Sequence, residues 1–456
     1  MPKIRNLNPL PELPRPIGGT DLAIPFRAFG VVGLCYGDSF GKNGNSLVPQ
    51  VGGDDWRSPI IVWTESSSDL GKPIVVTGAV RDGAQLWDYP HDNDQFSTVL
   101  PTDVIEIDGS LYIWVMVTKG LGHEQWCELA RSDDHGITWN NKGIRWSTSD
   151  FGSKRVMVTF DRKPGSNIVD IFSTGGLARD KGMLRWRCHK DSLQDPAAWD
   201  GWGWDGQTWD WGRPPSEILP GWKFGEIGFR WIQGNAVLSG FDAGNYSIFV
   251  KVGESTDVNW TKITTYRPIT GLPRGVDTVS RLYGGYVHPN SKFDGTFAVI
   301  VSEWASSGNP YRAMQFQVFG IKAAGPIVED IPSVSVDSAA LSNEGIDMSA
   351  EEALQKIAQE LSASGDVKLT LANGRNVSLR QALAEILWKC NARLAVSGDV
   401  NIKRPVAATE GDDQFGHVLS ARGELNILIA LQRKASELGR LLTVAEHDAV
   451  VTAMTK

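Results

Sequence analysis

The octapeptide Ser132-Asp133-Asp134-His135-Gly136-Ile137-Thr138-Trp139 carries the pattern Ser-x-Asp-x-Gly-x-Thr-Trp, an Asp box. Its chemistry is that of a tight turn between two strands. The Asp side chain caps its own backbone, Gly136 supplies a positive φ, and the Trp packs between neighbouring sheets. Ser67, Asp69 and Gly71 form a shorter version 65 positions earlier, while Asp191 to Trp199 and Ser255 to Trp260 stand at comparable places downstream. Trp139, Trp199 and Trp260 thus recur at intervals of 60 and 61 residues, and Ser306 to Tyr311 reads as a last, degenerate copy. Five repeats of this length, each with room for three or four strands, imply a five-bladed β-propeller. A β-sandwich with coincidental turns is the competing fold.

The runs around the box agree with blades. Val31–Tyr36, Ile60–Thr64, Pro73–Val80, Leu111–Thr118, Val156–Phe160, Ile168–Phe172, Tyr246–Val252, Thr296–Val301 and Met314–Phe319 are short and rich in β-branched or aromatic residues. No segment before residue 322 sustains a 3.6-residue period, so this part reads as all-β. Tryptophan marks where it ends: 17 of the 18 precede residue 322 and only Trp388 lies beyond. The expected organisation is an N-terminal arm over 1–14, the propeller over 15–322, a Gly-, Pro- and Ser-containing linker over 323–347, and a smaller, mainly α-helical domain over 348–456. In that last part Ser349 with Glu352, Ser378 with Gln381 and Thr443 with Glu446 have capping-box spacing. Helices are expected at about 349–363, 378–392, 420–438 and 443–455, with a hairpin around Val367–Leu371 and Asn373-Gly374. Assembly or anchoring suits this domain, because nothing in it has a catalytic pattern.

The 456 residues leave room for two or three domains, or for one large all-β domain with an appendage. The net charge of −8 excludes the basic footprint of a nucleic-acid or anionic-membrane binder, and a neutral polysaccharide fits better. Cys35, Cys127, Cys188 and Cys390 are too scattered for a zinc site and read as ordinary buried thiols. Met1 to Leu13 is polar and proline-rich, without the apolar core of a signal peptide, and no run of 18 apolar residues occurs. A soluble chain without a usual secretion signal is expected.

A propeller concentrates function where its inner strands converge. Gly18-Gly19-Thr20-Asp21-Leu22 enters one strand and Tyr36-Gly37-Asp38-Ser39-Phe40 leaves another, so the returning chain brings Asp21 and Asp38 to one end of a hairpin. Glycosidic cleavage commonly uses such a pair, one acid protonating the leaving oxygen and the other activating water or attacking the anomeric carbon. An Asp beside Gly is also an ordinary turn former. Asp103 precedes another inner strand, Gly225-Glu226-Ile227-Gly228-Phe229-Arg230 opens the fourth blade, and Tyr283-Gly284-Gly285-Tyr286-Val287-His288-Pro289 opens the fifth. Glu226 and Arg230 amid apolar neighbours are either a structural ion pair or site residues. A lone histidine such as His288 is more often a hydrogen-bonded core residue than a catalyst, yet its place beside Tyr283 and Tyr286 also suits sugar binding. Trp199 to Trp222 holds six tryptophans, of which Trp204 and Trp209 are candidate stacking platforms, with self-packing of a long loop as the alternative.

Gly19-Thr20-Asp21-Leu22, Tyr36-Gly37-Asp38-Ser39-Phe40, Gly225-Glu226 and Tyr283 to Pro289, in this order, resemble the endo-D-arabinanase family of actinobacteria and their phages. The resemblance spans about residues 15–322. It implies a five-bladed propeller that cleaves the D-arabinan of mycobacterial arabinogalactan and lipoarabinomannan with acidic residues at the channel mouth. By motif, Asp38 is then general base or nucleophile, Asp21 its partner acid and Glu226 a third acidic candidate; Ser39 stands where Thr is commoner. Inversion is the expected outcome if the carboxyl groups are spaced for an intervening water. Asp103, Arg230, Tyr283, Tyr286, His288, Trp204 and Trp209 are the expected substrate-binding residues. No cofactor is indicated, although acidic propeller centres allow a calcium ion. The missing signal and separate helical module look like those of a phage tail protein, with the cell-envelope polysaccharide and other tail proteins as partners and a symmetric homo-oligomer, a trimer being one form, as the assembly. A glycan-binding tail protein that does not cut is the alternative from another class.

Overall fold

Short apolar runs broken by Gly- and Asp-rich turns satisfy their backbone most simply by pairing each strand with the next, and the described residues up to Val318 do so in five antiparallel sheets. The computed structural model describes residues 3–65, 69–140, 145–271, 279–293, 295–305, 307–328, 368–370 and 376–378. The chain opens on β1 (Lys3–Asn6), whose partner comes last. The first blade is β2 (Ile24–Ala28), β3 (Val31–Tyr36), β4 (Ile60–Thr64) and β5 (Val76–Ala79). The second is β6 (Thr98–Ile107), β7 (Ser110–Thr118), β8 (Glu124–Ser132) and β9 (Arg145–Trp146). The third has five strands: β10 (Met157–Asp161), β11 (Ile168–Thr174), β12 (Leu184–His189), β13 (Asp200–Trp204) and β14 (Trp209–Trp211). The fourth is β15 (Phe224–Ile232), β16 (Asn235–Asp242), β17 (Ser247–Gly253) and β18 (Thr265–Thr270). The fifth is β19 (Leu282–Val287), β20 (Phe297–Trp304) and β21 (Tyr311–Val318), with β1 as its outer strand.

The first strands of the five sheets, β2, β6, β10, β15 and β19, pack against one another in cyclic order, β19 returning to β2. The result is an all-β, propeller-like ring with its core between the sheets. The arm over 1–14 is built into it. Lys3–Asn6 pairs with β21, and Leu7, Leu10 and Leu13 are buried against Ile60, Val62 and Ile300. Asn8 ties the arm to both sides of the closure, donating to the carbonyls of Gly18 and Tyr311 and accepting from the Ala313 amide.

The Asp box lies between β8 and β9. Asp134 accepts from Ser132 Oγ, Thr138 N and Thr138 Oγ1 at 2.6–2.8 Å, Gly136 has φ +93°, and Trp139 Nε1 donates to the Gly136 carbonyl. Asp69, Asp191 to Trp199 and Ser255 to Trp260 also fall between the third and fourth strands of their blades. The degenerate copy that ends at Tyr311 does not: Tyr311 opens the third strand of the fifth blade, directly after the second. That blade takes its fourth strand from the N-terminus, so the turn a fifth copy would occupy does not exist.

The described chain runs on to Val328 along the β15–β16 turn, where Ala324 and Gly325 donate to Asn235 Oδ1 and Val328 to the Gln233 carbonyl. The chain divides into two units, Met1–Ser342 and Asn343–Lys456. In the second, β22 (Lys368–Thr370) pairs with β23 (Asn376–Ser378), at the place of the expected hairpin. The four expected helices lie outside the described residues. Cys35, Cys127 and Cys188 are buried free thiols. Among the described residues no helix is long and apolar enough to cross a membrane.

Candidate active site

Pairing in the first hairpin matches Ile24 with Cys35 and continues outward to Thr20 with Ser39, whose hydroxyls hydrogen-bond at 2.6 Å. In that register Asp21 and Asp38 oppose each other. Between them and the ladder, Leu22 and Ala23 are both left-handed, at φ +63° and +52°. Two consecutive non-glycine residues in this region store backbone strain, as functional sites often do. The Leu22 amide is fixed by Ser302 Oγ, and Gly37 leaves the space that Asp21 needs, since a Cβ there would collide with Asp21 Oδ1.

Both carboxyls face one pocket of about 520 Å³ at the end of the ring where the inner strands begin. Every blade lines it: Asp21, Asp38 and Trp56 from the first, Thr98 and Leu121 from the second, Arg179 from the third, Glu226 from the fourth, and Tyr283, Tyr286, Trp304 and Tyr311 from the fifth. Asp21 is buried, and its Oδ2 accepts from the Tyr283 hydroxyl at 2.7 Å. The Tyr311 hydroxyl also favours its ionised form, although Oδ1 accepts no hydrogen bond of normal geometry. Burial first, and the neighbouring Asp38 charge second, push the Asp21 carboxyl up to about 8. Asp38 is half-buried. Its Oδ1 accepts from Thr98 Oγ1 at 2.6 Å and from the Trp56 indole N–H at 2.8 Å, and Trp56 is held between Phe40 and His91. Burial raises Asp38 to about 6, and these two donors restrain the rise.

Glu226 is buried in the same wall, bonded through Oε1 to Arg179 Nη2 at 2.7 Å. Of the expected site residues, Asp21, Asp38, Glu226, Tyr283 and Tyr286 therefore come together. The others do not line the pocket. Asp103 and Arg230 form a fully buried bidentate pair at 2.6 and 2.8 Å, and Arg230 also donates to the Pro25 and Phe229 carbonyls. Asp103 accepts in addition from Thr159 Oγ1 and the Phe160 amide, so the pair ties four inner strands together. Such a satisfied buried pair is structural. His288 is buried in a turn with Nδ1 accepting from the Asn290 amide; burial, with Arg27 and Arg230 adding to it, lowers it to about 3 and keeps it neutral.

Trp204 and Trp209 sit on the hairpin that adds a fifth strand to the third blade. There Trp202 stacks on Trp209, and Arg185 and Arg187 lie over Trp211, so the cluster packs on itself. Trp56, Thr98, Arg179, Trp304 and Tyr311 were not legible as site residues. Tyr311 alone carried a signal, and it pointed to a turn repeat. Among the described residues no group of three His, Cys, Asp or Glu is placed to hold a metal ion.

The class this defines is an all-β, propeller-like protein with opposed carboxyl groups in a pocket at its hub. The chain belongs to the DUF4185 family, described as a domain of unknown function, whose model matches residues 15–317. A search of curated proteins finds no match. Among solved structures, the chain is similar to a candidate hydrolase from Bacteroides ovatus at 13% identity and TM-score 0.48, covering 66% of this chain and 86% of that one. It is also similar to the GH43_1 enzyme from Xanthomonas citri (12%, TM-score 0.39, 69% and 89% covered) and to Zg3597, a family 117 glycoside hydrolase from Zobellia galactanivorans (10%, TM-score 0.39, 71% and 93%). Likeness of this size adds nothing to what the chain's own strands and pocket show.

Proposed function

We propose that this protein is an endo-acting glycoside hydrolase that cleaves D-arabinan of the mycobacterial cell envelope. The observation that carries the chemistry is a pair of opposed carboxyl groups in one pocket with different proton affinities, about 8 for Asp21 and about 6 for Asp38. At neutral pH Asp21 holds its proton and Asp38 has lost its own, the division of labour that glycosidic cleavage needs. Asp21 protonates the leaving glycosidic oxygen. Asp38, oriented by Trp56 and Thr98, takes the proton of the attacking water, and the Asp21 carboxylate left behind is stabilised by Tyr283. The substrate class rests on the motif resemblance and is supported by the gathering of Asp21, Asp38, Glu226, Tyr283 and Tyr286 in one wall. Residence in a phage tail, beside other tail proteins, belongs to the same proposal and is tested by proteomics of purified virions.

Incubation with purified arabinogalactan should release D-arabinose oligosaccharides, and Asp38→Asn should abolish release while the polysaccharide is still bound. Binding without release by the unmodified protein would instead favour a glycan-binding tail protein. Neither binding nor release would remove the polysaccharide from the proposal.

A further inference from the structure

Acid and base account for two of the three buried or half-buried carboxyl groups named in the pocket. The third, Glu226, is 5% exposed, and while its Oε1 is held by Arg179, its Oε2 is buried and accepts no hydrogen bond. Arg179 has the complementary vacancy: Nη2 is bonded to Glu226, but Nε is buried without an acceptor. A buried donor and a buried acceptor left unmade are each costly, and native proteins leave few of them. Both residues line the pocket, and although Oε2 and Nε are covered at rest, a bound molecule that draws the two side chains towards it supplies the missing partners.

The pair is also flanked by aromatic rings. The Arg179 guanidinium lies 5.0 Å from the centre of the Tyr283 ring and 5.5 Å from that of Phe241. Gly225 leaves room for it, since a Cβ there would come within 2.8 Å of Phe241 and 3.1 Å of Arg179 Cδ. Tyr283 is the residue whose hydroxyl donates to Asp21, so one side chain spaces the ion pair from the proposed acid.

Resting on the glycosidase reading above, we infer that Glu226 and Arg179 form a hydroxyl clamp: Oε2 accepts from one sugar hydroxyl and Nε donates to a neighbouring sugar oxygen. The clamp selects a ring with adjacent oxygens and seats it against Asp21, taking no part in proton transfer. Tight recognition by buried polar groups of this kind penalises any ring that lacks the matching oxygen.

Steady-state kinetics of the full chain on purified arabinogalactan test this. Glu226→Gln should raise KM about tenfold with kcat within about threefold and both limbs of the pH profile in place. Arg179→Lys keeps the charge but lacks the guanidinium fork, and it should not restore KM. The double variant Glu226→Gln/Arg179→Met leaves neither charge buried alone, and it should fold with the same raised KM. A kcat loss of about 100-fold, or the loss of one pH limb, in Glu226→Gln would make Glu226 a proton-transfer residue and overturn the clamp alone. A normal KM in Arg179→Lys would remove Nε from recognition. If the unmodified protein neither cleaves nor binds arabinogalactan, the glycosidase reading falls and takes the clamp with it.

Discussion

Asp21 and Asp38 share a wall yet differ in proton affinity because their donors differ. Asp38 is stabilised as an anion by Thr98 and Trp56, whereas Asp21 is the more deeply buried and has only phenols to support its charge. Activity should therefore fall below about pH 6, as Asp38 gains a proton, and above about pH 8, as Asp21 loses one. A rate profile of kcat/KM against pH checks both limbs. The same burial has a stability consequence. Between the unfolded value of 3.8 and the folded value of about 8, the native state holds a proton that the unfolded chain has released, so stability falls as pH rises across that window. Asp21→Asn should remove this penalty, raising Tm by about 4 °C or more at pH 8 and by nothing at pH 3.5, while cleavage is lost. Gly37→Ala should lower both kcat and Tm, because its new Cβ collides with Asp21 Oδ1 and comes within 3.0 Å of the Leu22 side chain in the core. Thermal melts and initial rates of the two variants separate these effects.

At the scale of the element, turn chemistry and site chemistry occupy opposite ends of the blades. The Asp box closes the third and fourth strands, whereas the pocket draws on the ends where inner strands begin. Asp134→Ala deletes three hydrogen bonds of one turn and should cost about 1–3 kcal/mol in chemical denaturation, with kcat and KM unchanged. The Trp-rich hairpin is a second element separate from the pocket. Trp204 is 46% exposed and does not line the pocket, so Trp204→Ala should leave cleavage of arabinogalactan unaltered. A raised KM in that variant would return the hairpin to substrate binding.

On the scale of the whole molecule, closure depends on a strand from the far end of the chain. Lys3–Asn6 completes the fifth blade and Asn8 bridges Gly18 to Tyr311, so the arm holds both the ring and two segments of the pocket rim. Deleting residues 1–13 strips three buried leucines and an edge strand, and it should abolish cooperative unfolding in calorimetry rather than merely lower Tm. The Asp103–Arg230 pair pins four inner strands at the hub, which explains why charged residues so near the pocket take no part in it.

Local pattern was enough for the full Asp box and for the strands, since the box states its own hydrogen bonds within eight residues and each strand is a short run rich in β-branched and aromatic residues. It was also enough to bring Asp21 and Asp38 together, because a single hairpin joins them. Tertiary structure decided everything that needed separate blades to meet. Whether Glu226 or Arg230 faces the pocket turns on strand register and on partners 47 and 127 residues away, Arg179 and Asp103 respectively. Likewise Tyr311 read as a turn residue until ring closure carried the last blade round to the first. Contacts of that kind arise from packing between sheets, and no local spacing encodes them.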